Sequence, residues 1–465
     1  MTNIIPSEAQ PSIDALLDGF KKPEFDLRVI DTKYVDHFPI SGVGNTTCLR
    51  WTIPKSKGNY VPDINKMLLA LDLKITNKAR TSTPPIGIES APCNNFMFSI
   101  FSSLKISYGV TTVLHLEHFP IFSYMKMMLN CDDNDFMTWA SAQCFYPEKR
   151  DEDLDNINTT GWEARRHLFG GKITSPQKLQ DGTTRNPNLN KFAYSPKAYF
   201  FLSEIPHCLP SPPIMPCEIR VELTLNTPEY VFQSKNESHS DINFAFERAR
   251  LFVPEIKLNE KLWLSLESKL AKEAMRQFFT TTQVNTFSIP TGTKKEEFDA
   301  IATGVSPSRI MLLFQSTDRL MGKIDKNSFK FSRKFGPPGQ DFIIQSVKCF
   351  LKSEELERLN CDDSIHSFRD HYYRLYQLTR QNTGKNACSI TFEDFWKHCL
   401  IFIFDLTATM NATDYPRLPL VKDGHLRITC EFSNPSTEPL TLISLLEVQS
   451  SLTIENSGKC TIASI

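Results

Sequence analysis

Stretches in which apolar and polar residues alternate recur along the whole chain, and a period of two puts every second side chain on one face of a strand. In "LALDLKI", Leu69, Leu71, Leu73 and Ile75 share one face while Asp72 and Lys74 take the other. "SLKISY" repeats the pattern with Leu104, Ile106 and Tyr108, "EIRVELTL" with Val221, Leu223 and Leu225, and "HLRITCEF" with Ile428, Cys430 and Phe432. Each predicts a half-buried antiparallel strand. "RIMLLF", beginning at Arg309, and "CLIFIF", beginning at Cys399, are instead unbroken apolar runs, expected where both faces of a strand are covered. The second run sits between Lys397 and His398 on one side and Asp405 on the other, far short of the about 20 apolar residues that a transmembrane helix needs.

Helical periodicity is rarer. "DDSIHSFRDHYYRLYQL" places Ile365, Phe368, Tyr372, Leu375 and Tyr376 on one face, behind a cap at Asp363 or Ser364. "EHFPIFSYMKMML" has Pro120 suited to a first turn, then Ile121, Tyr124, Met125 and Met128 together. In "TFEDFWKH", Thr391 and Asp394 have the spacing of a capping box. The longest helical candidate, "NEKLWLSLESKLAKEAMRQ", starts at Asn259. Between Cys131 and Lys197 no period persists, which predicts a long surface excursion.

The two halves echo one another. "RVELTLNTP" (220–228) aligns without a gap on "RITCEFSNP" (427–435), Arg on Arg and Pro on Pro. "KAYFFLS" and "CLIFIFD" lie at corresponding places upstream, each followed by a proline-bearing loop. "SSLKISYG" followed by a helix is echoed by "QSVKCFLK" followed by a helix. Similarity on this scale indicates a duplicated domain rather than a small solenoid repeat. Two sets of short, regularly spaced strands with helices lodged in their connections predict an all-β chain of two tandem antiparallel jelly-roll sandwiches.

Composition narrows the function. The chain has 465 residues, 40% apolar and 23% charged, with 34 phenylalanines and 29 prolines, which suits two or three folded, loop-rich domains. A net charge of -1 and an acidic first 36 residues supply no field for nucleic acid. The opening "MTNIIPSEAQPSIDALL" has no secretory pattern. Twelve cysteines are scattered without a C-x-x-C pair and read as reduced thiols filling core positions.

Chemical motifs are weak. "HLEH" offers His115 and His118, but three apart on a strand they face opposite ways, and no third ligand follows at a telling distance. "SGVGNTT" lacks the lysine of a phosphate-binding loop. Asp405 reads as a polar residue ending an apolar strand, and His371, beside Arg369 and Asp370 on a helix, does not face its neighbours. No catalytic, cofactor-binding or metal-ligating residue is assigned, and no cofactor is expected.

Longer blocks carry a resemblance. "YVPDINKMLLALDLKITN", "CNNFMFSIFSSLKISYG" and "HFPIFSYMKMML" in the first half, and "FAFERARLFVPEIKL", "FSIPTGT", "VSPSRIMLLFQSTDRLMGKIDKNSFKF" and "ITFEDFWKHCLIFIFDLT" followed by "GHLRITCEF" in the second, resemble the double jelly-roll major capsid proteins of polintons (Mavericks) and adintoviruses. The likeness runs over nearly the whole chain. It implies an N-terminal arm over 1–36, a first jelly roll over 37–235 with its excursion near 131–197, a second over 236–455, and a tail over 456–465. It also implies a homotrimer imitating sixfold symmetry in an icosahedral shell around double-stranded DNA. The implied partners are further copies of the chain, a single-jelly-roll penton protein and minor capsid proteins, with no sequence-specific nucleic-acid binding, small-molecule substrate or transmembrane segment. The protein would reside in the virion capsid after synthesis in a host cell. Alternatives on the same fold are a hydrolase, a carbohydrate-binding module, or a capsid relic domesticated by a host.

Overall fold

The computed structural model describes residues 28–464, apart from 78–89, most of 171–196, 202–211, 235–241, 381–389, 410–419 and a scatter of shorter breaks. Cys208, Cys388, the proposed cap at Asp363 or Ser364 and most of "SGVGNTT" lie outside the described residues.

The first half is built from β1 (Val29–His37), β2 (Cys48–Ile53), β3 (Leu68–Asn77), β4 (Phe101–Tyr108), β5 (Thr111–Leu116), β6 (Lys197–Phe201), β7 (Ile219–Leu225) and β8 (Ile242–Leu258). These pair antiparallel as two sheets, in the orders β1-β8-β3-β6 and β2-β7-β4-β5. Phe101 of one sheet stacks on Phe246 of the other, with ring centroids 6.3 Å apart. The connection from β5 to β6 holds α1 (Phe119–Asn130) and α2 (Thr160–Gly170). After β8, helix α3 (Glu260–Lys272) leads to the second half.

That half comprises β9 (Met275–Ile289), β10 (Lys295–Phe298), β11 (Arg309–Ser316), β12 (Phe342–Leu351), β13 (Glu354–Asn360), β14 (Phe402–Asp405), β15 (Leu426–Phe432) and β16 (Leu440–Ile454). The sheet orders are β9-β16-β11-β14 and β10-β15-β12-β13, the order of the first half with eight added to every strand number. Helices α4 (Ile365–Arg380) and α5 (Phe392–Lys397) sit between β13 and β14. In each half, strands adjacent in sequence alternate between sheets except at the β4–β5 and β12–β13 hairpins, the arrangement of a jelly roll.

The sequence echoes fall in matching registers. Leu223 of β7 lies opposite Leu104 of β4, and Cys430 of β15 opposite Val347 of β12. Val221 faces Ile106 as Ile428 faces Cys349. Even the hairpin turns agree: Gly109 after β4 and Lys352 after β12 both have φ of 59°. Both turns need the left-handed region, which glycine enters without cost and lysine does not.

Alternation translates into burial as expected. Leu69, Leu71 and Leu73 are fully buried. Every residue of β11 is buried, and so is every residue of β14, as continuous apolar runs require. Pro120 opens α1, and Thr391 and Asp394 form the capping box of α5.

Four expectations need correction. Val29–His37, assigned to an arm over 1–36, is a strand paired along its length with β8. The expected start of the second roll at 236 also moves, because Ile242–Leu258 pairs with β1 and β3 and so completes the first roll. The tail over 456–465 contains a strand, Cys460–Ser464, paired with β16. Helix α3 stops at Lys272, since Met275 already belongs to the long strand β9, where pairing along β16 outweighs local helical propensity.

Candidate functional site at the seam of the two sandwiches

The expected surface excursion is, in its first part, pinned to the interior by buried side chains. Arg165 on α2 is fully buried, donating from Nε to the Pro92 carbonyl at 2.9 Å, from Nη1 to the Tyr146 carbonyl at 2.8 Å and from Nη2 to Glu148 Oε1 at 2.6 Å. Trp162, one turn earlier, is also buried, and its backbone N–H donates to Glu148 Oε2 at 3.1 Å. The Glu152 carboxylate accepts from the Thr160 backbone N–H and hydroxyl, holding the start of α2. A guanidinium with a partner on each of its three nitrogens can sit in the interior. It anchors the segment that carries Asp153 and Asp155.

Those two carboxylates reach the second roll. Arg319 and Lys330 converge on Asp155, with Arg319 Nη2 at 2.7 Å and Lys330 Nζ at 2.8 Å from Oδ2. Lys330 also meets Asp153 at 2.6 Å, and the Asn327 backbone N–H donates to Asp155 at 3.1 Å. Burial pushes the Asp155 carboxyl up, but the hydrogen bonds and charge of Arg319, with Lys330 adding to them, outweigh it and hold the group well below the usual carboxylate range. Replacing Asp155 with Ala leaves two cations facing each other without their common acceptor. We expect a loss of about 2 kcal/mol in denaturant unfolding, the scale of charged hydrogen bonds.

Helix α1 contributes a second contact. The ring of Tyr124 stacks on Phe329 at 4.4 Å between centroids, and Tyr230 meets Phe329 edge-on at 6.5 Å. Asn95 Nδ2 donates to Ser123 Oγ at 2.7 Å, fixing the helix on the first roll. Lys126 extends from the same helix to Glu447 Oε1 at 3.1 Å, and Glu447 is paired bidentately within the second roll to Arg309, at 2.9 and 2.7 Å. Gly322, with φ of 77°, packs so closely that a Cβ would lie 2.6 Å from the Tyr230 Cα. Salt links, an aromatic stack and a backbone contact together set one angle between the rolls.

The residues weighed for chemistry are scattered or occupied. His115 is exposed on β5, while His118 lies beyond that strand at the start of α1, with φ of 49°. Among the described residues no cluster of three or more His, Cys, Asp or Glu could hold a metal ion. Asp405 is buried rather than emerging, and it accepts from the Thr407 backbone N–H at 2.8 Å and hydroxyl at 2.6 Å. It borders a cavity of about 530 Å³ with Glu357, His371 and Arg374. There Arg374 pairs with Glu357, and His371 Nε2 lies 2.8 Å from the Asn360 carbonyl. Each of these groups is engaged by a partner of its own instead of converging on a vacant point.

Sequence reasoning missed the seam residues. Asp155 and Lys330 are 175 positions apart and sit in segments that read as polar loop, so no local signal joins them.

No family model matches the chain, and no curated protein matches it in sequence. Solved structures do match in shape. A chain of the Sputnik virophage particle superposes with a TM-score of 0.60 at 11% identity, covering 100% of this chain and 95% of that one. The Faustovirus major capsid protein gives 0.58 at 10% identity, covering 96% of this chain and 94% of its own. A chain of the PBCV-1 virus capsid gives 0.54 at 9% identity, with 96% and 99% covered. The last two of these neighbours are components of viral capsids. Strand order, internal duplication and full-length superposition agree that this chain has the all-β double jelly-roll fold of those capsid proteins.

Proposed function

We propose that the protein is a viral major capsid protein that assembles as homotrimers imitating sixfold symmetry. The observation that carries this reading is the fixed pairing of two like-ordered sandwiches in one chain. Three such chains around an axis present six similar walls, so a threefold object can fill a hexagonal plane. Closed symmetric assemblies reuse one interface.

The edge strand β1 supports a contact role. Ile30, Tyr34, Phe38 and Ile40, on β1 and just after it, are 58%, 63%, 67% and 73% exposed. At the corresponding edge of the second roll, Phe278 on β9 is 58% exposed. Exposed apolar side chains along an unpaired sheet edge favour association, and obligate subunit interfaces commonly bury ~2,000 to 5,000 Å². Replacing Tyr34 and Phe38 together with Asp should abolish trimers while leaving the circular dichroism of the folded chain intact. Light scattering reads the mass, and a variant that stays trimeric removes this edge from the interface.

Within that class, the sequence blocks favour the polinton and adintovirus group, with a single-jelly-roll penton protein and minor capsid proteins as partners and the virion as location. No helix among the described residues is long and apolar enough to cross a membrane. The decisive experiment is expression of the chain alone, followed by negative-stain electron microscopy. Hexagonal trimers are the expected result; a persistent monomer that hydrolyses or binds glycans overturns the proposal in favour of the enzyme or lectin alternative.

A further inference from the structure

The two rolls also meet at their sulfurs. Cys217, just before β7, and Cys460, at the start of the last described strand, bring their Sγ atoms to 3.6 Å across 243 positions of chain. Three segments clamp the pair. Gly109 N–H, in the turn after β4, donates to the Glu218 carbonyl at 2.8 Å, and Thr111 Oγ1 donates to the Cys460 carbonyl at 2.6 Å. A Cβ on Gly458 would lie 3.2 Å from the Pro216 carbonyl oxygen and 3.5 Å from the Cys217 Cβ. The thiols are 8% and 4% exposed, directly beneath a turn whose Glu455 and Lys459 face solvent.

We propose that Cys217 and Cys460 are a modification site, a dithiol that hydrogen peroxide closes into a disulfide joining the first roll to the C-terminal strand of the second. The inference rests on the contact between the rolls and does not depend on the capsid reading. Both are free, buried thiols, in keeping with the sequence reading, and their distance in sequence hid their adjacency.

Each sulfur has to close from van der Waals contact to about 2.05 Å, a change within reach of side-chain rotation. The two thiols are not equivalent. The hydrogen bond shared by the two sulfurs shifts the Cys217 thiol below the ordinary thiol range and, with burial, shifts Cys460 above it. Cys217 is also the more exposed of the two, at 8% against 4%, and so is the sulfur that an oxidant reaches first. Its thiolate attacks one peroxide oxygen, the O–O bond breaks, and the departing hydroxide takes up a proton to leave as water. The Cys217 sulfenic acid is then attacked by the Cys460 sulfur as that thiol gives up its proton, and the hydroxyl leaves as a second water. Two thiols are oxidised and one peroxide is reduced to two waters. Burial under the turn admits so small an oxidant and impedes bulkier ones.

The test uses the full chain, treated with hydrogen peroxide, alkylated, and digested without reductant. Mass spectrometry should find a peptide pair linking Cys217 to Cys460, lighter than the two free peptides by two hydrogens. The thermal midpoint should rise by several degrees and fall back after dithiothreitol. Cys217→Ser and Cys460→Ser should each lose both the linked peptide and the shift. Unchanged alkylation of both thiols overturns the proposal. So does linkage of either one to a different cysteine, or conversion of Cys217 to sulfinic acid with Cys460 still free; these readouts come from the native sequence and need no variant to fold.

Discussion

Replacing Glu447 with Gln should lower unfolding stability by about 3–5 kcal/mol, the usual consequence of removing one member of a buried ion pair. Arg309 and Glu447 side chains are 4% and 7% exposed and Lys126 is 14% exposed, so water cannot replace the lost carboxylate. Arg309 keeps its bond to the Leu378 carbonyl at 3.1 Å, yet its charge is left without a counter-ion. Chemical denaturation followed by tryptophan fluorescence measures the loss; a change below about 1 kcal/mol would show the triad to be neutral in energy. Replacing Arg309 with Met and Glu447 with Leu together should recover much of the stability, because both desolvated charges of the strand pair then disappear.

The same triad sets a pH dependence. Burial pushes the Glu447 carboxyl up, but Arg309 and then Lys126 more than cancel this and bring it down to about 2. A carboxyl whose folded pKa lies below its unfolded value of 4.5 stabilises the fold fully above that value and progressively less below it. The native protein should therefore lose stability as pH falls from 4.5 towards about 2. In the Glu447→Gln variant the slope over that window should be shallower.

Phe329→Ala carries a comparable cost, about 3–5 kcal/mol for a fully enclosed aromatic ring. Phe329 is 1% exposed and is held by Tyr124 and Tyr230, both from the first roll. The cavity opens at the junction, not inside either sandwich. A single cooperative transition should accordingly separate into two, one for each roll, when calorimetry follows the melt. A variant that still melts as one unit would assign the coupling to the ionic contacts instead.

Much of this architecture was written in local pattern. Period-two alternation located β3, β4, β7 and β15, and aligning "RVELTLNTP" with "RITCEFSNP" identified strands that occupy the same place in their sheets. The boundary between rolls was hidden because β8 is a central strand with apolar residues on both faces, and the link after it is helical instead of rich in proline or glycine. Arg165 was hidden for a different reason. Its burial depends on Pro92, Tyr146 and Glu148, partners that neither composition nor periodicity connects to it. Contacts between distant segments, on which the seam depends, leave no short-range trace.

The position of β8 also bears on how the protein is made. It lies between β1 and β3 in its sheet, although it is the last strand of the first roll to leave the ribosome. Until Leu258 has emerged, the nascent roll lacks the middle of a sheet, and β1 has no neighbour to which it can add. Strands β9 and β11 then wait in the same way for β16. Such late closure exposes sticky edges, so the interval of greatest vulnerability for this chain runs from the emergence of these edges to the arrival of β8 and β16, when chaperones matter most.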